Sequence, residues 1–508
     1  MGRLARSSLR TAVVGGGPAG LFYALLAKQR MPDHEIVVYE RNPPDATFGF
    51  GVVFSERTLG GFADADPQLY DAMTAAGVSW EDIEVRRRDG TIRCGGQGFS
   101  AISRRKLLRL LQERARAVGV ELRFEHEIHS DELTDADLVL AADGVNSGLR
   151  WLRAAQFRPR MQTGVARFIW FATRQRFDAL TFVFVEDEHG AWGVHAYPFE
   201  DGTSTFIVET DESTWRRAGL DQTPDLAPGE SDLGSLRFCE QLFADHLGGH
   251  GLLCNNSKWA QFRTLRCASW VSGNVVLLGD AAHTAHFSVG SGTKMAMEDA
   301  SALADAIAAA DTTPEALSHY ERLRRPPVDH IQAAARPSLI WWERFGHLAD
   351  RDLEQFAFHF LTRSPAVTRD RLRRRDASFV QRVDRWAERA LSANHDRVEL
   401  AVVEAPPSSH DNEADRLLAV LAAQARDRDR ELIVGVRAGE RTDAVDALLF
   451  CDRVVQELSL ECAALGFLAD DDDAATAILA GRVQIVRPQA ATGRASAAHE
   501  PQASRLTR

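Results

Sequence analysis

The chain has 508 residues, too long for one ordinary domain and long enough for two to four. Forty-five per cent of it is apolar and the net charge is −12, so a large core is possible and nucleic acid is disfavoured as a partner except at a local basic patch. Six cysteines (94, 239, 254, 267, 451 and 462) make no C-x-x-C pair and no metal-ligand spacing, which predicts reduced thiols, a cytoplasmic setting and no metal.

The basic start MGRLARSSLR reads as a ragged terminus rather than a signal peptide. No run of eighteen apolar residues follows, so no membrane contact is expected. Residues 11–20, TAVVGGGPAG, are an apolar run entering a glycine cluster, followed by the helix former LFYALLAKQ. This is G-x-G-x-x-G between a strand and a helix. Gly15 permits the tight turn, Gly17 lets backbone approach a pyrophosphate, and Gly20 lets helix and strand pack closely, with Pro18 and Ala19 opening the helix. The second strand, IVVYE, ends on Glu40, where a carboxylate either accepts from ribose hydroxyls or merely caps a strand edge.

Residues 46–72 read as a glycine- and aromatic-rich loop followed by a helix. EVRRRDGTIRC, 84–94, reads as a hairpin turning at Asp89-Gly90, and SRRKLLRLLQERARAVGV as an amphipathic helix. ADLVLAADGVNS is a buried strand ending at Asp143-Gly144. Four strand-like runs between 165 and 210 predict an antiparallel sheet inserted into the nucleotide fold. NVVLLGDAAH is another buried strand, ending at Gly279-Asp280, and a long helix follows from about 293 to 310. The fold class expected is therefore α/β, a Rossmann-like nucleotide domain with an inserted sheet domain and a small C-terminal α/β region.

The glycine loop with Glu40, the Asp143-Gly144 turn, and Gly279-Asp280 followed by GSGTKMAMEDA, in that order, resemble the single-component FAD-dependent aromatic hydroxylases typified by para-hydroxybenzoate hydroxylase. The resemblance covers about residues 8–330. It implies a class A flavoprotein that takes NADH or NADPH and O2 and hydroxylates a small aromatic substrate. Gly15, Gly17, Pro18, Ala19 and Gly20 would hold the FAD pyrophosphate, and Glu40 with Arg41 the adenosine ribose. Arg104, or its neighbour Arg105, would reach the flavin side. Asp143 and Gly144 would serve both FAD and the pyridine nucleotide, and Gly279-Asp280 the ribityl chain. Gly290 and Gly292 would head a helix whose positive end faces the isoalloxazine.

Where most members carry a Pro-Pro pair after GDAAH, this chain has His286-Phe287. That variant, with FGFGVVFSERTL, GVHAYPF and STFIVETDESTW, resembles the subset acting on aromatic acyl-CoA thioesters, salicylyl-CoA among them, and on one bis-indole. The resemblance implies hydroxylation of salicylyl-CoA to gentisyl-CoA in salicylate degradation. The alternatives are an indole-derived natural product as substrate, or a flavin-binding scaffold without turnover. His195 and His286 are the candidate catalytic bases, or else hydrogen-bonded structural residues; Trp170, Phe171, Tyr197 and Phe287 are candidate pocket walls.

A CoA anion would need a basic cluster, for which Arg86 to Arg88, Arg104 to Lys106, and Arg371 to Arg375 are available; each also reads as a solvated face. The domains expected are a monooxygenase core over 8–365, with its FAD part near 8–72, 100–150 and 265–330 and its substrate sheet near 73–99 and 151–264. A helical connector (366–403), an α/β region (404–487) and a disordered tail (488–508) follow. The α/β alternation over 404–487 resembles part of an old-yellow-enzyme barrel without reductase activity, or else a small dimerisation module, since a whole barrel needs about 250 residues. A homodimer is a further expectation.

Overall fold

The computed structural model describes residues 8–487 apart from 129–132, 134, 223–225, 228, 291, 365, 391–398, 410–411, 427–431, 439–441, 459–460 and most of 466–484. The expected disordered tail, 488–508, lies outside the described residues. The chain divides into two units, one of Met1–Glu84 with Gln97–Glu343 and one of Val85–Gly96 with Arg344–Arg508. The hairpin from Val85 and the chain from Arg344 group together.

The first unit is built on a parallel sheet. Arg10–Val14 pairs with Glu35–Tyr39 on one side and Leu138–Ala141 on the other; Val275–Leu277 and Glu121–Arg123 extend it. Every residue of Leu138–Ala141 and Val275–Leu277 is buried, as expected of strands covered on both faces. Helix Pro18–Arg30, buried from Ala19 to Ala27, packs against helix Gly292–Ala309. The core they share also takes Leu107, Leu108 and Leu111 of helix Arg104–Ala117.

The inserted sheet is antiparallel and runs in the order Pro159–Thr173, Thr203–Thr210, Gly190–Glu200, Leu180–Asp187. These are the four runs expected from the sequence. Several strands were not anticipated, two of them beside the site. Ala260–Cys267 pairs along Pro159–Thr173, and its arginines at 263 and 266 conceal its strand character. Gly51–Ser55 pairs with Phe99–Ser103 where a loop was expected, because the flanking glycines hide a short β-forming core of Val52, Val53 and Phe54. The substrate sheet buries Phe171, Trp192 and Phe206 beneath helices Glu212–Arg217 and Leu233–Leu242.

In the second unit, strands Glu399–Ala405, Leu432–Ala438, Glu461–Leu465 and Ile485–Arg487 pair in parallel in chain order. Helices Asn412–Arg426 and Ala444–Leu458 connect the first three. The region therefore starts at 399 rather than 404, and the Ala- and Cys-containing strand ECAAL carries too little β-forming sequence to be read in advance. A buried ion cluster ties this sheet to the preceding helices: His359 Nε2 lies 3.2 Å from both Asp452 oxygens, and Arg482 donates to His359 O and Thr362 O. Desolvation pulls the His359 imidazole down to about 3, so the ring is neutral and donates to the carboxylate. A cut near residue 400 would divide this cluster.

Candidate active site

Ideal Cβ positions on the motif glycines show three different duties. A Cβ on Gly15, whose φ is +114°, would lie 2.2 Å from Ala142 O, and one on Gly20 would lie 2.2 Å from Gly15 O. Those two are glycine because backbone packs on backbone. A Cβ on Gly17 meets nothing within 4 Å, so Gly17 borders open space at the N-cap of helix Pro18–Arg30. No side chain caps that helix and no acidic residue sits in its first turn, which leaves its positive end for an anion. Buried Ala19 and Pro18 at the first helical position complete the turn.

Glu40 is fixed by the loop itself. Its Oε2 accepts from Gly16 N–H at 2.8 Å, and its Oε1 accepts from Asn42 N–H at 2.9 Å and Asn42 Nδ2 at 2.7 Å. Arg41 is exposed beside it. At the end of the neighbouring strand, Asp143 Oδ2 accepts from Gly148 N–H at 2.8 Å, while its buried Oδ1 has no partner in the protein. Burial raises the Asp143 carboxyl. Gly144, at φ +81°, again borders open space. An open cradle at Gly17 and an orphaned buried oxygen at Asp143, on adjacent strand ends, fit an extended phosphate-bearing cofactor.

Arg150, fully buried, was not anticipated. Its guanidinium donates to Val145 O at 2.6 Å and Ala281 O at 2.9 Å, clamping the Asp143 turn to the Gly279 turn. Gly279, at φ +58°, sits where a Cβ would come within 3.0 Å of Ala296 and 3.2 Å of Ala19. Next to it Asp280 is accessible to water yet surrounded by protein on most sides, and burial raises its carboxyl against the pull of His283 and Arg104. Arg104, not Arg105, is the inward residue: desolvation lowers its guanidinium against the pull of Asp280, whereas Arg105 is exposed. Lys106 pairs with Glu200 at 3.3 Å, so this basic cluster points three ways.

The Gly279 turn is held from behind. His283 Nε2 meets Asp299 Oδ2 at 2.7 Å, and Arg324 Nε donates to Asp299 Oδ1 at 2.7 Å. Burial alone would raise the Asp299 carboxyl, but His283 and Arg324 hold it below its ordinary value. Gly290, at φ +62°, closes the short turn Phe287–Val289 with a Cβ site 3.2 Å from Val53, and Gly292 opens helix Gly292–Ala309 onto open space.

Both candidate histidines are buried, and they meet. His195 Nε2 lies 3.0 Å from Glu209 Oε2, and His286 Nε2 lies 3.5 Å from Glu209 Oε1. His195 stacks on Trp342 at 4.1 Å between centroids; Gly193 makes room, since a Cβ there would lie 2.6 Å from that ring. Phe287 contacts both imidazoles. Trp170 packs under Gly49, Phe171 lies in the sheet core, and Tyr197 donates to Gly51 O at 3.1 Å, with burial pushing its phenol up to about 12. Of the other basic clusters, Arg87 donates to Arg351 O and Ala349 O, Arg371 to Ala366 O, and Arg373 to Asp370, while Arg88 and Arg374 are exposed.

The family model described as FAD binding domain matches residues 8–335. A salicyloyl-CoA 5-hydroxylase of Streptomyces sp is 54% identical over 384 residues, 74% of each chain. A 3-hydroxy-4-methyl-anthranilyl-[aryl-carrier protein] 5-monooxygenase of Streptosporangium sibiricum is 37% identical over 71% of this chain and 95% of its own. The protodeoxyviolaceinate monooxygenase of Chromobacterium violaceum is 34% identical over 66% of this chain and 89% of its own. Among solved structures, 2-methyl-3-hydroxypyridine-5-carboxylic acid oxygenase superposes with a TM-score of 0.54 at 18% identity, over 70% of this chain and 96% of that one. PqsL of Pseudomonas aeruginosa superposes at 0.52 and 20%, over 66% and 97%. The protein therefore belongs to the FAD-binding-domain family and is an FAD-dependent aromatic monooxygenase with NAD(P)H as its reductant.

Proposed function

We propose that this protein hydroxylates the ring of an aromatic acyl-CoA thioester, salicyloyl-CoA, to gentisyl-CoA. The observation that carries the reading is 54% identity over 384 residues to a salicyloyl-CoA 5-hydroxylase. The relative named for an aryl-carrier-protein substrate supports a carrier-linked ring over a free acid.

In this reading the first turn of helix Pro18–Arg30, with Gly15, Gly17 and Gly20, receives the FAD pyrophosphate. Glu40 and Arg41 take the adenosine ribose, and Asp143 Oδ1 and Gly144 the stretch beside the pyrophosphate. Arg104, Gly279 and Asp280 take the ribityl and flavin side, and Gly290 with Gly292 the ring edge. Bound FAD, once reduced by NAD(P)H, supplies the oxygen-activating chemistry. The chain excludes water with Phe262, Phe287 and Trp342 and orients the substrate ring. His195 or His286 withdraws the phenolic proton, which makes the ring more electron-rich. The six cysteines, mostly buried and in no disulfide, suit a cytoplasmic setting, and no described helix is long and apolar enough to cross a membrane.

A second reading, an indole-derived substrate, is favoured by the protodeoxyviolaceinate monooxygenase likeness. Mass spectrometry of products from salicyloyl-CoA, free salicylate, anthraniloyl-CoA and an indolic compound, run in parallel with nicotinamide oxidation, decides between them. The expected result is one added oxygen on salicyloyl-CoA and none on free salicylate. Turnover of free salicylate, or stimulation only by indolic compounds, would overturn the assignment.

A further inference from the structure

Glu209 is 1% exposed, yet its two carboxylate oxygens face two different imidazoles, each itself at most 4% exposed. A buried carboxylate costs several kcal/mol unless it is paired. The strand register explains the pairing. Glu209 stands opposite Gly193, so it shares a sheet face with His195 two residues on, while His286 arrives from the turn that follows Gly279–Ala281.

Tautomers follow from the remaining bonds. His286 Nδ1 accepts from Ser288, whose Oγ lies 2.7 Å away and in turn 2.7 Å from Ser338 Oγ. With Nδ1 an acceptor, the proton of a neutral His286 sits on Nε2, which lies 3.5 Å from Glu209 Oε1, within ion-pair reach but without hydrogen-bond geometry. His195 likewise presents Nε2 to the other oxygen, and its ring stacks on Trp342. Other charged side chains of the flanking elements turn elsewhere: Arg167 lies over Trp215 and reaches Glu212, and Glu343 accepts from Val165 N–H. Two titratable groups that face Glu209 are His195, from the neighbouring strand, and His286, from the loop.

Resting on the proposed reading of the site, we propose that Glu209 is a positioning residue for hydroxylation. Its carboxylate orients the His195 ring and balances the charge that ring gains on taking the substrate's phenolic proton, while its other oxygen lies within ion-pair reach of His286. In that transfer the phenolic O–H bond breaks, an N–H bond forms on the imidazole, and the electron pair stays on the oxygen. Glu209 need not touch the substrate.

The test is Glu209→Gln in the FAD-loaded full chain, read by NMR titration of labelled histidines and by the pH profile of kcat. Without the carboxylate both imidazolium ions lose their counter-charge. The His195 and His286 midpoints should fall by about one pH unit, the acid limb of kcat should move down with them, and the plateau should drop roughly 10- to 100-fold, because a weaker base drives proton transfer less. Glu209→Asp withdraws the charge by one methylene and should give an intermediate lowering; it decides alone if the Gln variant does not fold. Unchanged midpoints in the folded variants would overturn the proposal, even if activity falls. The titration needs no substrate, so failure of the wild type on salicyloyl-CoA would remove the substrate assignment and leave Glu209 to be judged by the histidines.

Discussion

Gly17→Val is expected to give a folded, colourless protein. The glycine loop offers three positions at which a side chain could be added, and only one is free. At Gly15 and Gly20 the new Cβ would lie 2.2 Å from backbone oxygen, so substitution there breaks the strand–helix junction before any ligand is considered. At Gly17 the Cβ meets nothing, so the fold tolerates it, but two methyl groups then stand in the space the pyrophosphate needs. Flavin absorbance per protein should fall below about a tenth of wild type while far-ultraviolet circular dichroism is unchanged, a loss worth more than roughly 1.4 kcal/mol in binding. A variant that is as yellow as the wild type would show that the cofactor does not approach by this route.

Asp299→Ala should produce a large loss of stability in the first unit. Asp299 is fully buried and answers both His283 and Arg324. Its removal leaves Arg324 with Glu298 alone and frees the His283 ring that fixes the Gly279 turn. Breaking a buried ion pair by deleting one partner costs about 3–5 kcal/mol, which lowers the melting temperature by on the order of 10 °C. The pH dependence has a definite sign. The folded-state carboxyl is held below its unfolded value, so its stabilisation is present above the ordinary carboxylate range and is lost as pH falls through the lower folded value. The gap between wild type and variant should therefore be full near neutrality and narrow in acid. Equal melting temperatures at pH 7 would contradict this account.

The cofactor half of the site was legible because its chemistry is local. A strand, three glycines and a helix occupy twenty consecutive residues, and Asp143 and Asp280 each end a buried strand. The four runs of the substrate sheet were legible because each is rich in β-branched and aromatic residues, with Gly and Asp between them. What the sequence concealed is what long-range pairing creates. Glu209 reads as the polar end of a strand until the register sets it beside His195. Trp342, on a helix nearly 150 residues away in the chain, gives no sign that it will stack on that ring. Arg150 and Asp299 look like surface charges in their helices, yet each is buried against a turn contributed by a distant segment. The basic clusters misled in the opposite sense: Arg87, Lys106 and Arg373 bind the chain's own acceptors and acids.

The central claim is that three separated loops, at Gly15–Gly20, Asp143-Gly144 and Gly279-Asp280, converge on one FAD. The most direct measurement is flavin stoichiometry of the purified full chain after incubation with excess FAD and removal of the free cofactor. One FAD per chain, with a protein-bound flavin spectrum, is the predicted result. A colourless protein that takes up no FAD would contradict the account, whatever the aromatic substrate.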